Sequence, residues 1–312
     1  MQVLNTSHLS HEIIGQSEEM RSIFKMIEKL ADTDANILIL GENGTGKDLI
    51  AKAIYYNSQR AEDIFVSIDL GSISENLFES ELFGYEKGAF TDAKTDKPGR
   101  MEVASGGTLF LDEIANLSLA MQAKMLTAIE KKHITRLGST KDIPIDVRYI
   151  CATNTDIYQA VEDSAFRQDL LYRINTIEIH IPPLRERAGD IILLAEYFLQ
   201  KFNHKYKKEI QSISQDAKHK LFTYSWPGNV RELQNVMERA VILASAKVLK
   251  NDDFILSLHK NRNPRSNEIL NLGLLEQNAI ENALKRTNGN LNQTAELLGI
   301  SRYALYRKIN KK

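Results

Sequence analysis

The chain has 312 residues, long enough for two or three domains. Its hydrophobic share of 43% and charged share of 26% are those of a globular protein, and no run of about 18 apolar residues exists to span a membrane. The net charge of −1 excludes a globally basic nucleic-acid binder, so any such footprint has to be local.

The start, MQVLNTSHLSHE, has neither a basic end nor an apolar core and is not a signal peptide. Residues 1–12 read as a polar stub, and His8 and His11 within it have no further ligands nearby, so no zinc site is expected. Ser17 suits a helix N-cap, with Glu18 and Glu19 in the first turn. Ile23, Met26, Ile27 and Leu30 then share one helical face.

Asn36 to Leu40 reads as a strand. It leads into Gly41-Glu42-Asn43-Gly44-Thr45-Gly46-Lys47-Asp48, which has the spacing of a P-loop. Glycines let successive N–H groups point into one concavity at a helix N-terminus, where phosphate oxygens bind. Lys47 adds a point charge able to reach the outer phosphates. The apolar helix that should follow carries Leu49, Ile50, Ala53 and Ile54 and runs to about Asn57. A Ser or Thr usually follows the lysine and touches magnesium. Asp48 stands there instead, a hard oxygen ligand able to hold the metal directly or through water.

Four further apolar runs have strand length: Phe65–Asp69, Thr108–Asp112, Val147–Thr153 and Thr176–Ile181. Helical patterns separate most of them, including Met121–Lys131. Strands alternating with helices imply a parallel sheet covered on both faces, with ligands at the strands' C-terminal ends. Gly41–Lys47, Asp112-Glu113 and Asn154 all fall there. Asp112 can position magnesium, and Glu113 can polarise an attacking water. Asn154 could orient water or sense the terminal phosphate, although Asn at a strand end is commonly just a turn residue. The lone cysteine, Cys151, sits in an apolar run as a buried thiol, consistent with a reducing cytoplasm. Arg167 and Arg173 lie six apart on a helix-like stretch, about 240° apart if the helix is regular. One can then face its own subunit and the other a neighbour.

Pro182-Pro183 stops the last strand, and from Ile191 to Ala246 the periods are helical throughout. Residues 247–268 read as a linker. In 269–312, Leu275, Ala279, Ala283 and Leu284 form one helical face, broken at Asn288-Gly289-Asn290. A second helix starts at Asn292 or Thr294, and Ser301 caps a third through Tyr303, Leu305, Tyr306 and Ile309. Two helices joined by a glycine-containing turn suggest a helix-turn-helix. From 301 onward there are five basic residues (Arg302, Arg307, Lys308, Lys311 and Lys312) and no acid. That local charge suits phosphate contacts, though a helical hairpin with a solvated basic tail has the same pattern.

Taken together, GENGTGKD, ESELFGYEKGAFTDA, GGTLFLDEI, FRQDLLYR, PPLRERAGDI and WPGNVREL make residues 13–246 resemble the AAA+ ATPase domain of sigma-54-dependent transcriptional activators, the bacterial enhancer-binding proteins. The resemblance implies an α/β P-loop ATPase fold with a five-stranded parallel sheet over 13–182 and a helical lid over 183–246. It implies ATP and Mg2+ and a homo-oligomeric ring, usually a hexamer. Ile14 and Gly15 match the segment near adenine, Asn154 the first sensor, and Arg231 the sensor arginine of the lid. Arg167 and Arg173 match the arginine fingers that reach a neighbour's ATP. Gly88, Ala89, Phe90, Thr91, Asp92 and Ala93 match the loop that grips the sigma-54 RNA polymerase holoenzyme. Its logic is an exposed aromatic and a threonine on a glycine-hinged tip.

Two positions depart from the family pattern. Asp92 stands at the usual second glycine of the grip loop, and Asp69 stands where an asparagine commonly restrains the catalytic glutamate. An ionised Asp69 cannot donate an amide proton to Glu113. GNLNQTAELLGISRYALYRKI resembles the Fis-type DNA-binding domain that ends these activators, a small all-α unit over 269–312. Arg302, Tyr303 and Arg307 are then candidates for groove and backbone contacts, joined by Asn292, Ser301, Tyr306 and Lys308 on the same unit. A dimer would read half-sites roughly 34 Å apart. The implied function is a cytoplasmic activator that binds DNA upstream of promoters and remodels the sigma-54 holoenzyme with ATP. The alternative is an AAA+ DNA-binding regulator or repressor that does not engage sigma-54, and Asp92 is what favours it. The family match begins at Ile13 with no receiver domain before it, which points to regulation in trans or to the output half of a longer architecture.

Overall fold

The computed structural model describes residues 3–4, 13–256, 276, 279–280, 283–284, 287 and 289–309. The expected stub, including His8 and His11, lies almost wholly outside the described residues, as do Leu275, Asn288, Lys311 and Lys312. The chain divides into two compact units, 1–255 and 256–312.

The first unit is built on five parallel strands: β1 (Ile37–Leu40), β2 (Phe65–Asp69), β3 (Thr108–Asp112), β4 (Arg148–Thr153) and β5 (Ile177–His180). Their order across the sheet is β5-β1-β4-β3-β2. Every residue of β1 and β4 is buried, the signature of central strands covered on both faces. β2 alternates buried and less buried residues, as an edge strand does. The alternation of β1 sends Ile37 and Ile39 to one core, with Ile23, Ile27, Ile50 and Ile54 of α1 (Glu18–Leu30) and α2 (Lys47–Tyr56). Leu38 and Leu40 go to the other, with Phe78 and Leu82 of α3 (Glu75–Phe83), Met125 of α4 (Leu119–Lys131) and Leu170 of α5 (Gln168–Ile174). Ser17 caps α1 by accepting from the Met20 N–H at 3.4 Å.

β4 pairs in register with β1 so that Thr153 lies beside Leu40, and β2 pairs with β3 so that Asp69 lies beside Asp112. Register alone therefore brings the ends of four segments to one edge of the sheet. Cys151 is fully buried within β4, and burial pushes its thiol up to about 12.

The helical region that follows holds α6 (Ala188–Tyr206), α7 (Gln215–Thr223) and α8 (Asn229–Leu243). Trp226 fixes the entry to α8: it is fully buried, and its indole donates to the Leu221 carbonyl at 2.8 Å. One expectation is revised here. The region is not helical throughout, because Ser212–Ile213 and Val248–Leu249 form a short parallel pair. Leu249 and Phe254 are buried, so the first residues of the expected linker are folded onto the lid. Apolar anchors two and seven residues past Lys247 are too sparse to register as periodicity.

In the second unit, α9 (Leu291–Leu297) and α10 (Arg302–Ile309) pack through Ala295 and Leu305 against Ile280. Asn290 caps α9, accepting from the Asn292 and Gln293 N–H groups. The helix thus begins one residue before the earlier of the two expected starts.

Candidate nucleotide site and its neighbours

The loop from β1 to α2 curls because Gly44 (φ 78°) and Gly46 (φ 99°) take left-handed backbone that other residues resist. Gly44 is also confined: a Cβ there would stand 2.4 Å from the Gly228 carbonyl oxygen. Thr45 is buried, and its hydroxyl donates to the Glu42 carbonyl at 2.8 Å, holding the turn. Lys47 opens α2, is 6% exposed, and donates to the Gly41 carbonyl at 3.1 Å. Its Nζ also lies 3.3 Å from Glu113 Oε1.

Glu113 is left-handed (φ 57°), an arrangement that costs free energy in a non-glycine residue. That turn lets its N–H meet Asp112 Oδ1 at 3.1 Å and swings its carboxylate toward β4. There Oε2 accepts from the Asn154 N–H at 3.1 Å. The Glu113 carboxylate is therefore held between a cation and the end of β4. Burial pushes the Asp112 carboxyl above its usual range, the Lys47 charge pulling the other way and Glu113 and Asp69 adding repulsion.

These groups face a polar cavity of about 500 Å3, which Asp48, Asp69, Asn116 and Arg231 also line. An adjoining cavity of about 350 Å3 is lined by Ile13, Ile14, Met20, Leu194 and Phe198. Gly44, Gly46, Asp48 and Arg231 border both, so an apolar lobe meets a polar lobe at the glycine loop. Gly15 sits tight against Met20, within 2.9 Å of where a Cβ would be. Asn43 lines the polar lobe and gives its carbonyl to Asn229 at 3.0 Å. The carboxylates at the polar lobe are the hard oxygen donors that a magnesium ion takes.

The two arginines are elsewhere. Arg167 precedes α5 as its N-cap instead of lying on it, in extended backbone (φ −78°, ψ 129°), and its N–H is satisfied by Gln122 Oε1 at 2.8 Å. The 240° estimate therefore does not apply. Its guanidinium grips Asp169 at 2.7 and 3.0 Å. Arg173, in the last turn of α5, meets Glu130 at 2.9 Å and is 58% exposed. Neither lines the polar or the apolar lobe of its own chain.

Asp190, Arg187 and Asn116 contribute without being candidate site residues from the sequence. Asp190 is fully buried and accepts from Gln16 N (2.7 Å), Ser17 N (3.0 Å) and Ser17 Oγ (2.9 Å), fixing the segment after Gly15. Arg187 is 3% exposed and donates to the Thr45 carbonyl at 3.1 Å, and burial lowers its pKa. Asn116 brings a neutral amide to the polar lobe, with Nδ2 3.3 Å from where a Cβ on Gly71 would lie. Asp69 spends Oδ1 on the Gly71 N–H at 2.8 Å.

The grip-loop segment rises from an antiparallel base, Gly84-Tyr85 against Lys97-Pro98. Gly88 is left-handed (φ 86°) in open space. Phe90 is 44% exposed, edge-on to Tyr85 at 4.9 Å; Thr91 and Asp92 are exposed, and Ala93 is buried. Asp92 is not among the residues with positive φ, so the backbone here makes no demand for glycine at that position. In the second unit, Ser301 Oγ accepts from the Ala304 N–H at 3.2 Å and caps α10. Arg302, Tyr303, Tyr306, Arg307 and Lys308 stand exposed along α10, and Lys308 also pairs with Glu276. Asn292 is exposed on α9.

A substitution separates stability from chemistry at this site. A carboxyl whose pKa is raised by folding favours the folded state at low pH, and that contribution is lost as pH rises through the raised value. Asp112→Asn should therefore melt about 2 °C or more above the unsubstituted chain at neutral pH, the gain vanishing at acid pH. Thermal melts at both pH values check this; a lower melting temperature at neutral pH would contradict it.

Among families, the sigma-54 interaction domain matches residues 13–180, the AAA+ ATPase lid domain 185–269, and the Fis family of bacterial regulatory proteins 272–311. Nitrogen fixation protein AnfA of Azotobacter vinelandii is 44% identical over 299 residues, covering 94% of this chain and 56% of AnfA. Regulatory protein AtoC of Escherichia coli is 42% identical over 323 residues, covering 99% of this chain and 69% of AtoC. The chain thus spans little more than half of AnfA. NtrX of Brucella abortus, solved in complex with ATP, is 32% identical with a TM-score of 0.72, over 95% of this chain and 68% of that one. Among the described residues, no helix is long and apolar enough to cross a membrane. With the matched domains in this order on this fold, the chain belongs to the sigma-54 interaction domain family, carrying an AAA+ lid and a Fis-type helix-turn-helix.

Proposed function

We propose that this chain is a cytoplasmic sigma-54-dependent transcriptional regulator. Its helix-turn-helix binds DNA upstream of promoters, and its AAA+ domain hydrolyses ATP in a homo-oligomeric ring, a hexamer, to remodel the sigma-54 RNA polymerase holoenzyme. The observation that carries the reading is the division of labour around the glycine loop. Lys47, Asp112 and Glu113 converge on the polar lobe, while Arg167 and Arg173 are exposed outside it. A site that holds its acids, Lys47 and Arg231 but lacks Arg167 and Arg173 is completed by a neighbour.

The residues divide the work as follows. Backbone N–H groups of Gly44–Lys47 cradle the phosphates, and Ile14 and Gly15 border the base. Lys47 leaves Glu113 for the outer phosphates. Glu113, freed from that pair, polarises the attacking water, with Asn154 beside it. Asp112 and Asp48 would hold magnesium, which supplies charge neutralisation on the phosphates. Arg231 reaches from the lid, and Arg173 and Arg167 from the next subunit. The exposed Phe90 and Thr91 suit a contact that moves with nucleotide state, flanked by Gly88, Ala89, Asp92 and Ala93. On DNA, Arg302, Tyr303, Tyr306, Arg307 and Lys308 face groove and phosphates, with Asn292 and Ser301 at their edge.

A second reading keeps the ATPase but not sigma-54. It rests on the exposed charge of Asp92 at the loop tip. Pull-down of sigma-54 by the tagged chain separates the two. A complex formed with a transition-state mimic of ATP, and not with ADP, is the expected result. No complex in any nucleotide state would contradict it and leave the DNA-binding regulator.

A further inference from the structure

Of the two charged residues between Gly41 and Asp48, Lys47 lines the polar lobe and Glu42 lines neither lobe. Its carboxylate is fully engaged elsewhere. Oε1 accepts from Arg185 Nη2 at 2.7 Å and Oε2 from Nη1 at 2.9 Å, a bidentate pair. Oε2 also accepts from Asn229 Nδ2 at 3.1 Å. The Arg185 guanidinium holds the Glu42 carboxyl below its usual range.

Asn229 gives this contact reach. It is fully buried, left-handed (φ 51°), and the first residue of α8. Its Oδ1 accepts from the Leu184 N–H at 2.7 Å, and its Nδ2 donates to the Asn43 carbonyl at 3.0 Å as well as to Glu42. One amide therefore joins the connector after β5, the glycine loop and the start of the lid helix. Two residues on, the Arg231 N–H donates to the Gly44 carbonyl at 3.2 Å.

We propose that Glu42 is a positioning residue: by gathering Arg185 and Asn229 it latches the lid helix onto the phosphate loop and so sets where Arg231 stands. This rests on the nucleotide reading of the site. An exposed ion pair alone contributes little, but here the carboxylate also orients a buried amide that bonds three segments. Removing the carboxylate or Arg185 releases the same latch, so the two losses should not add.

The test uses the full chain and the variants Glu42→Ala, Arg185→Ala, their double, and Glu42→Gln, which keeps an oxygen for Asn229. Hydrogen exchange without nucleotide reads the latch directly at the Arg231 amide. Protection there should fall about tenfold in each alanine variant, no further in the double, and less in Glu42→Gln. KM for ATP should rise about tenfold in the alanine variants with kcat within about twofold. Unchanged protection in the single variants, or additive losses in the double, overturns the latch. Lost protection with an unchanged KM overturns its role in placing Arg231. If the unsubstituted chain turns over no ATP, the ATPase reading fails, while the exchange result still decides the latch. Should Glu42→Ala not fold, Arg185→Ala and Glu42→Gln carry both readouts.

Discussion

Arg173→Ala is expected to lower ATP turnover by about 10³-fold or more while leaving nucleotide affinity nearly unchanged. Arg173 lines neither lobe of its own site, so its loss removes no contact to a nucleotide held there. Its ion pair with Glu130 at 2.9 Å is at the surface and contributes little to folding. The melting temperature should therefore hold. Under the proposed ring, what goes is a cation brought by a neighbouring subunit to the charge that develops on the transferred phosphoryl group, an interaction that acts on kcat and not on binding. Steady-state turnover above the assembly concentration, with titration of a fluorescent nucleotide alongside, checks both halves. Normal turnover would remove the inter-subunit assignment, and a matching fall in affinity would put Arg173 in its own chain's site.

Lys47→Ala should act in the opposite way, weakening ATP affinity by about 10²-fold or more and abolishing turnover at ordinary nucleotide concentrations. Lys47 is nearly buried at the floor of the polar lobe, where a charge-assisted bond to phosphate is little screened. Glu113 loses its cationic partner but keeps the Asn154 N–H, so the fold should survive. Affinity by calorimetry and melting by circular dichroism distinguish lost binding from lost structure. The two variants also make a pair. A chain that cannot bind nucleotide still supplies Arg173, and a chain without Arg173 still binds, so their mixture should recover turnover that neither has alone.

What could be read from the sequence follows from how local each signal is. Ile37-Leu38-Ile39-Leu40 is apolar at every position because β1 is covered on both faces, and that continuity marks a central strand without any structure. Gly44 and Gly46 are legible because left-handed backbone leaves a residue-type imprint at a fixed spacing. Asp112 and Glu113 are legible because acids ending a buried strand must sit at its tip. The convergence of these three segments follows from a parallel sheet.

Asp190 is different. It holds Ser17 from 173 residues away, and nothing beside it in the chain marks the contact. Glu42 reads as one more residue of the glycine loop, yet its side chain belongs to a contact with Arg185, 143 positions on. Arg167 is legible as a candidate but not in its geometry: it takes extended backbone just before α5, with its N–H satisfied by Gln122 on α4. The short pair Ile213 and Leu249 escaped because two-residue strands have no period to detect. Asp92 shows the converse. The sequence marks it as a departure from the family, and the structure gives a backbone there that tolerates an aspartate, so whatever the change alters is charge and contact, not chain geometry.

The most direct measurement is a calorimetric titration of the full chain with ATP in magnesium buffer. The account predicts saturable binding, close to one nucleotide per chain, lost in Lys47→Ala and kept in Arg173→Ala. No heat of binding from a folded sample at millimolar ATP would contradict it.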